Sequence, residues 1–274
     1  MSDETKKYTV EEERWNAISH SVGVVGAIAI GALFLTKVIT NGGDAWAVAS
    51  MVLYILGMLS SYTFSTLYHS CPPESKWRKR LRKLDHAAIY WYIAGSYSPI
   101  TLIAMRDVGY WGWGIFAFCW LCAIVGTSLS LYSLKKHSIM ETVCYVLMGL
   151  TIVVAMKQFY NAVPLAVFLW VVGEGVAYIT GAVFYSLHKV KYIHTVFHFF
   201  VLLGTVCHMI AVWYLIKYHV ALPPRGENVG APSCEVFAHR CLATEECFGH
   251  QLPRLPDPRR RGPLRTARYG KRAL

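Results

Sequence analysis

His194 and His198 stand four residues apart near the start of the last long apolar stretch, Tyr192–Ile216. On a helix that spacing puts two imidazoles one turn apart on one face, which suits two ligands of a single metal ion. The stretch is also long enough to cross a bilayer, where an ionisable side chain is costly and marks either function or a hydrogen bond to a neighbouring helix. Ser65 and His69 end the second apolar stretch, and Asp85 and His86 open the third. Histidines and one carboxylate therefore gather at one depth. Three histidines and a carboxylate are the inventory of a catalytic zinc site with an open position. Such a site lowers the pKa of a bound water to about 7 and polarises a carbonyl. Asp85 could orient that water or take its proton, and Ser65, one turn before His69, could bond an oxyanion. The chemistry is hydrolysis of an amide or ester. At membrane depth its substrate class is lipid.

The elements that must position these residues are read from composition and charge. Of the 274 residues 55% are apolar and 16% charged, a balance suited to a membrane. The acidic first sixteen residues, with Glu4, Glu11, Glu12 and Glu13, do not resemble a secretory signal. Seven apolar stretches follow, at 17–40, 45–68, 85–105, 109–132, 138–157, 163–185 and 192–216, so the expected fold is an all-α bundle of seven transmembrane helices. Lys76, Arg78, Lys79, Arg80, Arg82 and Lys83, then Lys135 and Lys136, then Lys189 and Lys191, fall in the even-numbered connections. The odd ones hold only Arg106 and Lys157. This bias puts the N-terminus in the cytoplasm and the C-terminal end of the seventh span outside. Cys119, Cys122, Cys144 and Cys207 read as small core residues.

Glu13-x-x-Asn16-x-x-x-His20, Ser65-x-x-x-His69, Asp85 and His194-x-x-x-His198, in this order at matching helix ends, resemble the signature of the hemolysin III proteins. That family sits with the progestin and adipoQ receptors and, more distantly, the alkaline ceramidases. The resemblance covers about residues 11–217. It implies a zinc ion held by His69, His194 and His198, with Asp85 near the metal-bound water, and it points to amide lipids as substrates.

Other polar residues receive plainer readings. Glu13, Asn16 and His20 share one helical face and are expected to support the site, with direct ligation as the alternative. His86 is read as an interfacial hydrogen-bonding residue, and His208, about 15 Å beyond His198, as a satisfied core histidine. Glu174 lies mid-span and either lines a cavity or makes a structural hydrogen bond. The basic run 76–83 reads as a topology determinant touching anionic headgroups. From 218 to 274 there are nine arginines and one lysine, with clustered prolines and no apolar period. This tail is expected to be disordered, and a shifted reading frame or fusion scar would explain its change of composition. The domains are thus a 1–16 segment, a 17–217 membrane domain and the tail. The leading function is a zinc-dependent lipid hydrolase of the plasma (inner) membrane, with membrane lipids and no nucleic acid as partners. The alternatives are a receptor or sensor with structural zinc and an oligomeric pore-forming cytolysin.

Overall fold

The computed structural model describes residues 8–133, 138–187 and 190–220. Among these residues eight α-helices follow in order: α1 Val10–Thr40, α2 Ala45–Ser70, α3 Arg78–Pro99, α4 Trp111–Ser133, α5 Ser138–Gly149, α6 Met156–Ala162, α7 Leu165–Ser186 and α8 Ile193–His219. A π-helical turn, Ile100–Ala104, continues α3, and a 3-10 segment, Leu150–Ala155, joins α5 to α6. There is no strand among the described residues.

Among the described residues, six helical stretches are long and apolar enough to cross a membrane: Val10–Thr40, Ala45–Ser70, Trp111–Tyr132, Glu141–Ala162, Leu165–Ser186 and Ile193–His219. α3 does not join them, because the expected start at 85 is preceded by two helical turns carrying Arg78, Lys79, Arg80, Arg82 and Lys83. The apolar run left before Pro99 is short. Outward faces are apolar, as Leu56, Val125, Leu129, Val176 and Phe199 illustrate. A surface of this kind suits lipid as the surrounding solvent. α8 runs through Tyr218 to His219. The tail from 221 to 274 lies outside the described residues. Of the four cysteines expected in the core, Cys119 and Cys207 are buried and Cys122 is half-buried. Cys144 is exposed on the outward side of α5, where a small apolar side chain meets no penalty.

Two features bring the polar helix ends together. α2 and α3 pack closely because glycines face one another: a Cβ on Gly57 would lie 2.7 Å from the Trp91 carbonyl oxygen, and one on Gly95 would lie 2.8 Å from that of Leu53. Glycine at both positions lets the backbones approach, so the end of α2 and the start of α3 share one level. The second feature is at the start of α1. Thr9 caps this helix by accepting from the Glu12 N–H, while its own N–H donates to Glu12 Oε2. Glu12 Oε1 then accepts the Tyr192 N–H at 2.9 Å, and Glu11 accepts the Tyr192 hydroxyl at 2.8 Å. Tyr192 takes a left-handed backbone, φ 58°, which costs a non-glycine residue on the order of 1 kcal/mol. Those two bonds hold that turn and fix the first turn of α8, which carries His194.

Interruptions in α3 and α5 open the interior. Pro99 removes a donor from the α3 ladder and the π-helical turn follows it. Opposite, Tyr97 enters the end of α5: its hydroxyl donates to the Gly149 carbonyl at 2.6 Å and accepts the Ile152 N–H at 3.0 Å. A side chain inserted into a helical ladder breaks its regular hydrogen bonding. Ile100, Gly149, Leu150 and Ile152 all line one cavity of about 410 Å³.

Candidate metal centre

His69, from the last turn of α2, and His194 and His198, from the first turns of α8, converge. Their donor atoms lie within 4.8 Å of one another. The His194 Nε2 to His69 Nε2 distance is 3.3 Å and the His198 Nε2 to His194 Nε2 distance is 3.1 Å. His69 and His198 are almost wholly buried.

For His69 and His198 the other ring nitrogen explains why Nε2 faces inward. His69 Nδ1 donates to Glu13 Oε2 at 2.6 Å. His198 Nδ1 lies 3.2 Å from the Asn16 carbonyl oxygen and 3.0 Å from Ser19 Oγ, whose hydroxyl donates to the same carbonyl. With the proton placed on Nδ1, His69 and His198 each present a bare Nε2 to the centre, where His194 Nε2 also lies. Lone pairs facing each other in a buried space repel unless a cation stands between them. Ligands about 2.0 to 2.1 Å from a tetrahedral zinc stand roughly 3.3 Å apart, so the donor set fits a metal ion.

The remaining predicted residues fall around this centre in different ways. Glu13 Oε1 accepts from Arg78, which also donates to the carbonyl oxygens of Cys71 and, at 3.3 Å, Tyr68. Arg78 therefore closes the C-terminal end of α2 and holds Glu13 against His69. Asn16 contributes its backbone carbonyl, while its Oδ1 accepts the Thr195 hydroxyl at 2.6 Å. His20 stacks on His198, with ring centroids 3.6 Å apart and planes 10° from parallel. Neither His20 nitrogen has a hydrogen-bond partner among the described residues. Asp85 and Ser65 line the cavity alongside His194 and His198, but the Asp85 carboxylate is not among the atoms that converge within 4.8 Å. His86 lines the cavity too, with Nδ1 bonded to the Arg82 carbonyl at 3.0 Å and lying 3.6 Å from Asp85 Oδ2.

Several residues here carry no sequence motif. Ser19 and Thr195 are ordinary helix residues until the packing of α1 on α8 brings them to Asn16 and His198. Tyr8 covers the cluster, its ring stacked 5.0 Å from that of His194. Burial pushes the Tyr8 phenol up, so it stays neutral beside the imidazoles. Arg78 corrects the reading of the basic run as a lipid-facing topology signal alone, because its side chain turns inward to Glu13. Deeper in the cavity, Glu174 accepts from His208 Nδ1 at 2.7 Å. Glu174 thus both lines the cavity and makes a hydrogen bond. His208, read as satisfied, has a second nitrogen, Nε2, that is buried without a partner among the described residues.

A helical multi-pass membrane protein with a three-histidine cluster that could hold a metal ion is the class that these features define. The sequence profile described as Haemolysin-III related matches residues 8–209, and the chain belongs to that family. It is 35% identical over 208 residues to Hemolysin-3 of Bacillus cereus, covering 76% of this chain and 93% of the relative. The Hemolysin-3 homolog of Bacillus subtilis (strain 168) is 33% identical over 212 residues, covering 77% and 97%. The human Monocyte to macrophage differentiation factor is 26% identical over 221 residues, covering 77% and 87%.

Proposed function

We propose that the chain is a zinc-dependent hydrolase of membrane lipids, acting at the cytoplasmic side of the plasma (inner) membrane on an amide or ester bond. The observation that carries this reading is the pairing of three facing Nε2 atoms with a largely apolar cavity that Asp85 and Ser65 also line. A site that only stabilised the fold would have no use for a cavity the size of a lipid chain.

When bound by His69, His194 and His198, zinc supplies a water of lowered pKa and a polarised carbonyl. Asp85 orients the attacking water, takes its proton and returns it to the leaving nitrogen or oxygen. Ser65 Oγ donates to the carbonyl oxygen as charge develops there. Glu13 and Asn16 keep the Nδ1 protons in place, and Arg78 holds Glu13. The apolar walls hold the acyl chain and exclude bulk water. The chain crosses the membrane seven times in this reading. α3 and its π-helical turn form the third span, the N-terminus lies in the cytoplasm and residue 217 lies outside. A reporter fused after Lys217 that is active only in the cytoplasm overturns this topology.

A cytolytic reading takes support from the names of the two Bacillus relatives, and a receptor-like reading would make the metal structural. One experiment separates them from the hydrolase. Metal-loaded protein reconstituted with a broad membrane-lipid extract releases fatty acid, and Asp85→Asn keeps its metal while losing that release. If the wild type releases no fatty acid above the Asp85→Asn background, the hydrolase reading fails.

A further inference from the structure

Glu174 and His208 take no part in the reaction above, yet they form a second place where buried polar atoms go unanswered. His208 Nδ1 donates to Glu174 Oε2, so a neutral His208 leaves Nε2 as a bare acceptor. That nitrogen has no partner among the described residues, and neither has the Tyr54 hydroxyl. The Tyr54 and His208 rings are 5.0 Å apart. Leaving such atoms unpaired is costly, so each invites a ligand or a water.

Their placement narrows the ligand. Glu174 and His208 line the same cavity as His194 and His198. His208 follows His198 by ten residues on α8, a separation of about 15 Å along the axis. On the wall between, the hydroxyls of Tyr92 and Tyr178 bond each other at 2.9 Å and Thr205 at 2.7 and 3.3 Å. Those groups are satisfied and ask nothing of a ligand. The surrounding Ile93, Ile100, Val153 and Val201 suit methylene groups.

We infer that Glu174 and His208 form a second binding point, for a hydroxyl group carried partway along the acyl chain of a lipid whose polar head lies at the histidine cluster. This rests on the reading of that cluster as the head-group end. A hydroxyl donates, so one carried on a chain in this cavity can give its proton to Glu174 or to His208 Nε2. A carboxylate would be repelled by Glu174, and an unsubstituted chain would leave His208 Nε2 unpaired. Glu174 keeps 11% of its side chain exposed against 1% for His208, so Glu174 makes the first contact. At the roughly 1.2 Å per bond of an extended chain, 15 Å is about twelve bonds from the head.

Binding of 12-hydroxystearate and stearate to the purified full-length protein in detergent, measured by calorimetry, tests this. The wild type is expected to bind 12-hydroxystearate about tenfold more tightly. Glu174→Leu should erase the preference while leaving stearate affinity unchanged. If Glu174→Leu does not fold, His208→Phe serves, with the preference again expected to fall. Equal binding of the two acids by the wild type, binding of neither, or a preference that survives the folded variant overturns the inference. Turnover is a separate readout. A protein that prefers the hydroxy acid but releases no fatty acid from lipid extract contradicts only the hydrolase reading, and a hydrolase without the preference contradicts only this one.

Discussion

α8 carries two histidine sites that differ in what meets the second ring nitrogen. In its first turns, His194 and His198 join His69, and the three Nε2 atoms point at one another. Ten residues beyond His198, His208 makes one short bond to Glu174, and its Nε2 has no hydrogen-bond partner among the described residues. A carboxylate beside Nδ1 occurs in both places, Glu13 at His69 and Glu174 at His208. The same local pairing therefore stands at both places, and the number of converging nitrogens separates them. Three gather enough lone pairs for a cation, whereas one suits a hydrogen bond to a neutral group.

The comparison breaks most visibly at the deeper site. His208→Leu leaves the Glu174 carboxyl buried without its partner, which should destabilise the fold by about 3 to 5 kcal/mol. The double change Glu174→Leu, His208→Leu should recover most of that loss. Thermal unfolding in detergent measures both, and zinc content should stay at the wild-type level throughout. A fall in zinc on His208→Leu would mean that the two sites are not independent.

At the first site a smaller effect is expected from the supporting carboxylate. Glu13→Gln keeps the size of the side chain but weakens its hold on His69 Nδ1 and on Arg78. Metal affinity should drop about 10- to 100-fold, read by competition with a chelator of known affinity. Unchanged affinity would show that Glu13 braces the helices without orienting the ligand.

The smallest effect lies far from both sites and is a control on them. Asp44 caps α2, accepting the Ala47 N–H at 2.9 Å, and pairs with Arg106 at 2.6 Å. The Ala47 N–H, followed by Arg106, holds its carboxyl below the ordinary 3.8. Stability from this group is therefore fully present above that value and is lost as pH falls through the lower folded value. Asp44→Ala should cost about 1 kcal/mol at neutral pH and less in acid, with metal binding and the preference for a hydroxylated chain untouched. Unfolding curves at both pH values check it.

Much of the first site was legible in the sequence, and the reasons are local. His194 and His198 are a four-residue pair, and His69 and Asp85 sit at helix ends that the run of spans puts near them. The residues that hold the site were not legible in the same way. Glu11, Glu12 and Glu13 read as an acidic opening to α1, yet each finds a separate partner: the Tyr192 hydroxyl, the Tyr192 N–H and the His69 ring. Two of those partners belong to Tyr192, about 180 residues away at the cap of another helix, and no spacing rule reaches that far. Arg78 was hidden among five other basic residues, because charge sign reports the side of a membrane and not the direction of one side chain. The expected start of the third stretch at 85 erred for a related reason: hydropathy marks where apolar residues begin, while the helix itself begins at Arg78.

The central claim is that His69, His194 and His198 together hold one zinc ion. Metal content of the purified full-length protein, measured by mass spectrometry, tests it most directly. The account predicts about one zinc per chain in the wild type and none in the His194→Ala, His198→Ala double variant. Full zinc content in that double variant would contradict it.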